Sequence, residues 1–371
     1  MPALLLEGVP EGSTKQSIAP SKWCTRHART QAIPLFVPGV AELSLRGTCP
    51  RPKDLVCPRR TVVAAATEKM GEESKVPPGD FYGEYHGHTV RHLDAIYRAV
   101  GGERRPTIWL AGDSSLDNKY WLNSRDRVPA CNGYEQVLEY QMPDVCYYLN
   151  KALADEFVCV NTAVEESRLV ERRGSTMWEQ DDFIRDHIKR DDVLVVSVGG
   201  NDVALKPSIS TAWNMFKLVF FNSEERLLKD PARAWGMRHF VRMFKDDTAN
   251  YIAKLIAKTK PRLVVACMIY FPDENRVQSW ANAALKVLRY DSKPELLQAG
   301  IRAIWDQATT QIGSVDSVPV VGCALFESLD GKWTQDYVAR VEPSKEGGAK
   351  MAEGIAARIR SNRVSKPSPS S

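Results

Sequence analysis

From about residue 80 onwards, short apolar runs alternate with segments whose apolar residues recur every three or four positions. Runs of four to eight apolar, often β-branched residues are typical of buried strands, and the three-to-four spacing is typical of helices. Five strands are predicted, at 106–111, 158–163, 191–198, 262–270 and 318–325. Helices are predicted around them, at 88–99, 144–157, 177–190, 232–258, 296–312 and after Pro343. Strands that alternate with helices form a parallel sheet covered on both faces. The pattern therefore predicts one three-layer α/β/α domain with a five-stranded parallel sheet.

The two ends of the chain lack this periodicity. Residues 1–78 are rich in Pro, Ser, Thr, Ala and Arg, and acidic residues are scarce before Glu68. Such a composition, with small residues after Arg59-Arg60, is typical of an organelle transit peptide. We expect the segment to target the protein to the plastid. The alternatives are the mitochondrion, or a cytoplasmic protein in which this segment is a disordered tail without a targeting function. Residues 79–361 form the predicted domain, and the Ser- and Pro-rich residues 362–371 are a predicted disordered tail.

Composition narrows the possible partners. The formal net charge is +4 and the basic residues are spread along the chain, so no nucleic-acid-binding stripe is predicted. No apolar run approaches the roughly 20 residues that span a bilayer, so no transmembrane segment is predicted. The 8 cysteines form no CxxC pair and no metal-ligand spacing. We therefore expect reduced, structural cysteines and neither a metal nor a cofactor.

Two polar motifs follow predicted strands. Gly112-Asp113-Ser114-Ser115 ends the first strand, and Gly200-Asn201-Asp202 follows the third. Each motif alone is also an ordinary turn or helix-cap signal. In a doubly wound sheet, however, the first and third strands are neighbours, and ligands bind at their carboxyl ends. A serine hydroxyl beside an amide donor is the minimum apparatus for acyl transfer, so Ser114 and Asn201 form a predicted site.

On these motifs the chain resembles the SGNH (GDSL-type) esterases and lipases. The resemblance covers roughly residues 104–361 and implies a flavodoxin-like fold that hydrolyses small-molecule or lipid esters through an acyl-serine intermediate, without a cofactor. It makes Ser114 the nucleophile, with its own N–H and the Asn201 amide as oxyanion-hole donors. Asp113, Gly200 and Arg340 are expected to contact the substrate.

The chain departs from the family pattern in two places. Glu166 stands where a glycine usually supplies a third oxyanion-hole N–H, and that donor survives if the Glu166 side chain turns outward. The last block normally reads Asp-x-x-His, but Ala339 and Glu342 occupy those two positions here. No histidine follows His239 in the sequence.

Three hypotheses for the missing base stay open. Glu342 replaces the imidazole, provided that burial raises the pKa of its carboxyl. Alternatively, His88, His92 or His187 reaches the site from elsewhere. In the third hypothesis hydrolysis is lost, and a binding protein remains in which Arg340 and Glu342 form an ion pair or bind a ligand. An acyltransferase that uses the same serine is a further alternative. Lys119, five residues after Ser114, is expected to be a solvated lysine and not a catalytic base.

Overall fold

The computed structural model describes residues 75–204, 211, 214 and 222–362. The predicted targeting segment lies outside these residues up to position 74, and so does the predicted tail from position 363. Val76 is already buried, and its N–H donates to the Val137 carbonyl at 3.0 Å. The folded part of the chain thus includes the residues just before the predicted domain boundary at 79.

A central sheet of five parallel strands confirms the predicted fold class. The strands are β1 Thr107–Gly112, β2 Val158–Asn161, β3 Val193–Ser197, β4 Leu263–Met268 and β5 Val318–Ala324. Their order in the sheet is β2-β1-β3-β4-β5, the doubly wound order of flavodoxin-like proteins. A sixth strand of two residues, Ser314–Val315, pairs antiparallel with β5 and was not predicted.

The strands β1, β3 and β4 are buried at every residue. A parallel strand covered by helices on both faces needs apolar side chains in both directions, which explains the continuous runs rather than an alternating pattern. Cys267 of β4 lies directly opposite Cys323 of β5 in the strand register. All cysteines among the described residues are free thiols.

Helices flank the sheet. They are α1 Pro78–Gly83, α2 Val90–Ala99, α3 Val145–Ala152, α4 Glu179–His187, α5 Gly200–Ala204, α6 Glu224–Lys229, α7 Met237–Arg242, α8 Thr248–Leu255, α9 Asn282–Val287, α10 Pro294–Gln307, α11 Leu325–Ser328 and α12 Lys345–Ser361. Helix α12 packs against α3, β4 and β5, whereas α4 packs against α2 and α8. No helix in the described part of the chain is long and apolar enough to cross a bilayer.

Side-chain caps mark the starts of helices α3 and α12. Asp144 accepts the N–H of Tyr147 at 2.7 Å at the start of α3, and Ser344 accepts the N–H of Gly347 at 3.1 Å at the start of α12. Such a cap satisfies one of the N–H groups that the first helical turn leaves without a partner. Helix α12 therefore begins at Lys345, directly after its cap Ser344 and close in sequence to Glu342.

The prediction of one uninterrupted helix over 232–258 is wrong. The helical region is shorter, from Met237 to Leu255, and its hydrogen-bond pattern changes in the middle. A π-helical segment, Met243–Asp247, separates α7 from α8. The Thr248 hydroxyl donates to the Met243 carbonyl at 3.1 Å, which adds a side-chain donor to the backbone hydrogen-bond ladder at this point. The apolar spacing on either side is unaffected, so the sequence pattern does not reveal the interruption.

Candidate active site

Gly112 brings the end of β1 into direct contact with β3. Its φ is +145°, and a Cβ at this position would lie 1.8 Å from the Ser197 carbonyl oxygen. The next N–H, that of Asp113, donates to the same oxygen at 3.2 Å. Only glycine allows this approach, and the turn that follows presents Ser114, which is 6% exposed.

The Asp113 carboxylate shapes the turn around Ser114. Its Oδ1 accepts the N–H of Ser115 at 3.1 Å and the Ser115 hydroxyl at 2.7 Å. Burial raises the pKa of Asp113 to about 6, while these two hydrogen bonds act in the opposite direction. Among the residues that the structure describes, the backbone N–H of Ser114 has no acceptor. It therefore remains available to a bound molecule.

The second motif lies against the first, as predicted from the neighbouring strands. A Cβ on Gly200 would lie 3.7 Å from Oδ2 of Asp113. The Asn201 amide Nδ2 donates to the Ser167 carbonyl at 3.1 Å. An amide nitrogen carries two hydrogens, so Asn201 keeps one donor for a ligand.

Glu166, at the position where the family has glycine, adopts a left-handed backbone conformation with a φ of +60°. Glycine takes this conformation without strain, which gives a physical reason for the family preference. The Glu166 carboxylate accepts the Tyr85 hydroxyl at 2.9 Å, so the side chain is engaged by a residue from the segment before α2. The next residue, Ser167, donates its hydroxyl to the Gly112 carbonyl at 3.0 Å. The loop after β2 is thereby attached to the end of β1.

Arg172 fixes this attachment from within the core. It is almost fully buried and donates from Nη1 to the Ser167 hydroxyl at 2.9 Å and from Nη2 to the Gly112 carbonyl at 3.2 Å. Its charge is neutralised by Asp181, which lies 2.9 Å from Nε. This role is not predictable from the sequence, because a lone arginine in a polar loop is usually exposed.

Glu342 lies beside Ser114. It belongs to a short hairpin in which Glu342–Pro343 pairs with Tyr337–Val338, and it is 3% exposed. Burial raises the pKa of its carboxyl to about 8, and the charges of Asp113 and Glu166 act in the same direction. Hydrogen bonding by the Ser114 hydroxyl lowers it. The structure thus brings together the two residues that the motifs suggested as nucleophile and base.

Arg340 lies on the same hairpin but does not pair with Glu342. Its guanidinium donates to Asp291 at 2.8 Å, to Asn282 at 2.9 Å and to the Asp273 carbonyl at 3.1 Å. The two residues at the hairpin loop, Ala339 and Arg340, both have positive φ, of +46° and +67°. The arginine therefore anchors a strained loop, and its expected contact with substrate stays a prediction.

The histidines that could have supplied a base have other partners. Nδ1 of His88 and of His92 lies 3.2 and 2.9 Å from the Glu84 carboxylate. His187 stacks on Phe183 with ring centroids 4.1 Å apart. None of the histidines in the described ranges hydrogen-bonds Ser114, and those ranges hold no group of three His, Cys, Asp or Glu residues that could bind a metal.

The prediction that Lys119 is solvated is wrong. Its ammonium and the Asp117 carboxylate form an ion pair at 2.5 Å in which both side chains have 0% exposure. The other oxygen of Asp117 accepts the N–H of Glu165 at 3.1 Å. Glu165 is itself buried and was not predicted as a site residue. The ion pair thus lies on the turn that follows Ser114 and is joined to Glu165 through Asp117.

The chain is similar to several solved structures of other proteins. No family model matches the chain, and no curated protein matches it. A lipase/acylhydrolase from Enterococcus faecalis is 12% identical with a TM-score of 0.36, covering 71% of this chain and 100% of its own. An acetylxylan esterase from Geobacillus stearothermophilus is 13% identical with a TM-score of 0.33, covering 68% and 94%. A carbohydrate acetylesterase from Sinorhizobium meliloti is 11% identical with a TM-score of 0.35, covering 69% and 99%.

Proposed function

We propose that this protein hydrolyses an ester of a small molecule or lipid, with Ser114 as the nucleophile and Glu342 as the general base. The observation that carries the proposal is the placement of a buried carboxyl beside the Ser114 hydroxyl at the carboxyl edge of the sheet. The amide of Asn201, attached to the same loop system, supplies the donor that acyl transfer needs.

The proton balance of the first step involves these two side chains. Ionised Glu342 takes the proton from Ser114 as Oγ attacks the ester carbonyl carbon, and it returns that proton to the leaving alkoxide. Water then attacks the acyl-serine by the same route and frees the acid. A carboxylate with an ordinary pKa is a weak base for this step, and the raised pKa of Glu342, about 8, makes it a stronger one.

The negative charge that develops on the carbonyl oxygen needs donors that are already in place. The N–H of Ser114 and the Asn201 amide are two candidates, and the backbone N–H of Glu166 is the third. The Glu166 carboxylate accepts the Tyr85 hydroxyl, which stabilises the negative charge of this carboxylate. Removing one such donor from a hydrolase typically lowers kcat by about a hundredfold or more.

Active-site labelling with a fluorophosphonate probe tests the nucleophile. We expect the purified protein to be labelled near pH 9, where Glu342 is ionised, and Ser114→Ala to lose the label. Ser124→Ala is the matched control, because this serine lies on the exposed surface. Labelling that persists in Ser114→Ala, or no labelling of the wild-type protein, would contradict the assignment.

A binding protein on the same fold is the second candidate. It is favoured by the raised pKa of Glu342, because a carboxyl with a pKa of about 8 is mostly protonated at neutral pH and then accepts no proton. Hydrolysis of p-nitrophenyl acetate separates the two functions. Equal rates for wild type and Ser114→Ala at alkaline pH would favour binding, and a Ser114-dependent rate would favour hydrolysis.

A further inference from the structure

Glu165 is a second buried carboxyl in the wall of the site. It is 2% exposed, and its Oε1 accepts the indole N–H of Trp121 at 3.2 Å. Its backbone N–H donates to Asp117 at 3.1 Å, which fixes the residue from its main chain. Within the described ranges Oε2 has no hydrogen-bond partner. A buried oxygen without a partner is costly, so a donor for it is expected nearby.

The short helical turn Asn118–Trp121 holds Glu165 and the Glu342 hairpin together. At one end of this turn the Asn118 amide donates to the carbonyl of Pro343, the residue after Glu342, at 3.3 Å. At the other end Trp121 holds Glu165. Oε2 of Glu342 is likewise buried without a partner among the described residues. Two buried carboxyls with one unsatisfied oxygen each therefore line the same polar region.

We propose that Glu165 keeps its proton and donates it as a hydrogen bond to the Glu342 carboxylate, so that Glu165 is the positioning residue for the base. This inference rests on the proposed function of Ser114 and Glu342. One shared proton satisfies both unpartnered oxygens and leaves a single negative charge in the site. The arrangement gives Glu342 an orienting neighbour, as a carboxylate orients the histidine in a serine triad.

Electrostatics decide which of the two carboxyls holds the proton. Burial raises the pKa of Glu165 well above its ordinary value, and the charges of Glu342 and Asp117 raise it further. The Trp121 hydrogen bond and the Lys119 charge oppose this change. The pKa of Glu342 is raised to about 8, and the hydrogen bond from the Ser114 hydroxyl favours its charged form. Oε2 of Glu165 has no such donor among the described residues, so we place the shared proton on Glu165. The charged or titratable groups that face the pair are Asp113, Asp117, Lys119, Glu166, Tyr85 and Tyr270.

The proton balance closes within the pair. Before reaction, the neutral Glu165 carboxyl donates to the Glu342 carboxylate. When Glu342 takes the Ser114 proton, both carboxyls are neutral, and the Glu165 proton has not moved. When Glu342 protonates the leaving group, the pair returns to its starting charge. Glu165 therefore acts through Glu342 and never contacts the substrate.

The pH profile of fluorophosphonate labelling tests the protonation state of Glu165. Glu165→Gln keeps an N–H donor and no charge, so its labelling midpoint should stay near that of the wild type. Glu165→Leu removes the donor, so its labelling should fall about tenfold or more and its midpoint should rise. If Glu165 is instead ionised, Glu165→Gln removes a negative charge and the midpoint falls, which overturns the proposal. The proposal is also overturned if Glu165→Leu is labelled at the wild-type rate and with the wild-type midpoint.

Infrared spectroscopy detects the protonated Glu165 carboxyl directly, whether or not the protein has enzymatic activity. At about pH 9 the wild-type spectrum should contain a C=O stretching band of a protonated buried carboxyl that is absent from Glu165→Gln. Absence of this band from the wild type overturns the inference even if Ser114 is labelled. Presence of the band together with no Ser114-dependent labelling overturns the proposed hydrolase instead, and the two failures are thus distinguishable.

Discussion

Lys119 and Asp117 form an ion pair from which solvent is excluded on both sides, with Nζ 2.5 Å from Oδ1. Removing one partner of such a pair leaves a buried charge without compensation, which typically costs about 3–5 kcal/mol. We therefore expect Lys119→Met to lower the free energy of unfolding by about that amount. Urea denaturation followed by circular dichroism measures it. Lys229→Met is the matched control, because Lys229 forms an exposed pair with Glu225, and its midpoint should not change.

The proposed base should give the labelling rate a distinctive pH dependence. Because the pKa of Glu342 is raised to about 8, the active carboxylate is scarce below that pH and dominant above it. The rate of Ser114 labelling should therefore rise with pH, about tenfold per unit below the midpoint, and level off above about pH 8. The profile is measured by quenching the labelling reaction at successive times and determining the labelling rate at each pH. A midpoint near that of an ordinary histidine, or a flat profile, would argue against Glu342.

The same pKa has a consequence for stability. In the unfolded chain Glu342 ionises near pH 4.5, whereas in the folded protein it keeps its proton to about pH 8. Between these values the unfolded state has released a proton that the folded state still holds, so stability falls as pH rises. Glu342→Gln removes the ionisable group and should raise the free energy of unfolding by about 2–4 kcal/mol near pH 8.

A pair of controls isolates this effect. Below about pH 4 both states of the wild type are protonated, so Glu342→Gln should be close to wild type there. Glu353→Gln, on the exposed face of α12, should leave the unfolding curve unchanged at both pH values. Stabilisation by Glu342→Gln that is equal at both pH values would instead indicate a packing effect.

Glu166→Gly tests two properties of the loop after β2. Glycine accepts the φ of +60° without strain and retains the backbone N–H, so Ser114 should still be labelled. The substitution also removes a negative charge that raises the pKa of Glu342. The labelling midpoint should therefore move to lower pH. Glu166→Gln, which keeps the side-chain length but not the charge, should produce the same direction of change.

Gly112→Ala should be severely destabilising, because the new Cβ would lie 1.8 Å from the Ser197 carbonyl oxygen. A backbone clash between two central strands cannot be relieved by a rotamer change, and we expect a loss of more than about 3 kcal/mol. Gly300→Ala, within α10, is the contrasting variant, since nothing lies within 4 Å of its added Cβ. It should stabilise by about 0.5–1 kcal/mol. Thermal unfolding of both variants measures the contrast.

The sequence predicted the sheet and the paired motifs well because their causes are local. Strands buried on both faces have continuous apolar runs, and the neighbouring strand ends bring Asp113 and Gly200 together. The burial of Lys119 and Glu165 belongs instead to a region built from distant parts of the chain, where the Asn118 amide donates to the Pro343 carbonyl. No pattern within a few residues of either position reveals it. The catalytic roles of Ser114 and Asn201 and the plastid address stay predictions.

The hairpin that carries Glu342 shows how such a site can lose its activity from a distance. Its loop uses Ala339 and Arg340 where glycine would be relaxed, and Arg340 is held by Asp291, Asn282 and the Asp273 carbonyl. The position of the proposed base thus depends in part on a side chain that lies outside the serine turn. A lineage that lost Arg340 would keep Ser114, Asn201 and the fold, yet would lose three of the hydrogen bonds that hold the hairpin. An esterase could in this way drift into a binding protein while every motif residue of its sequence remained intact.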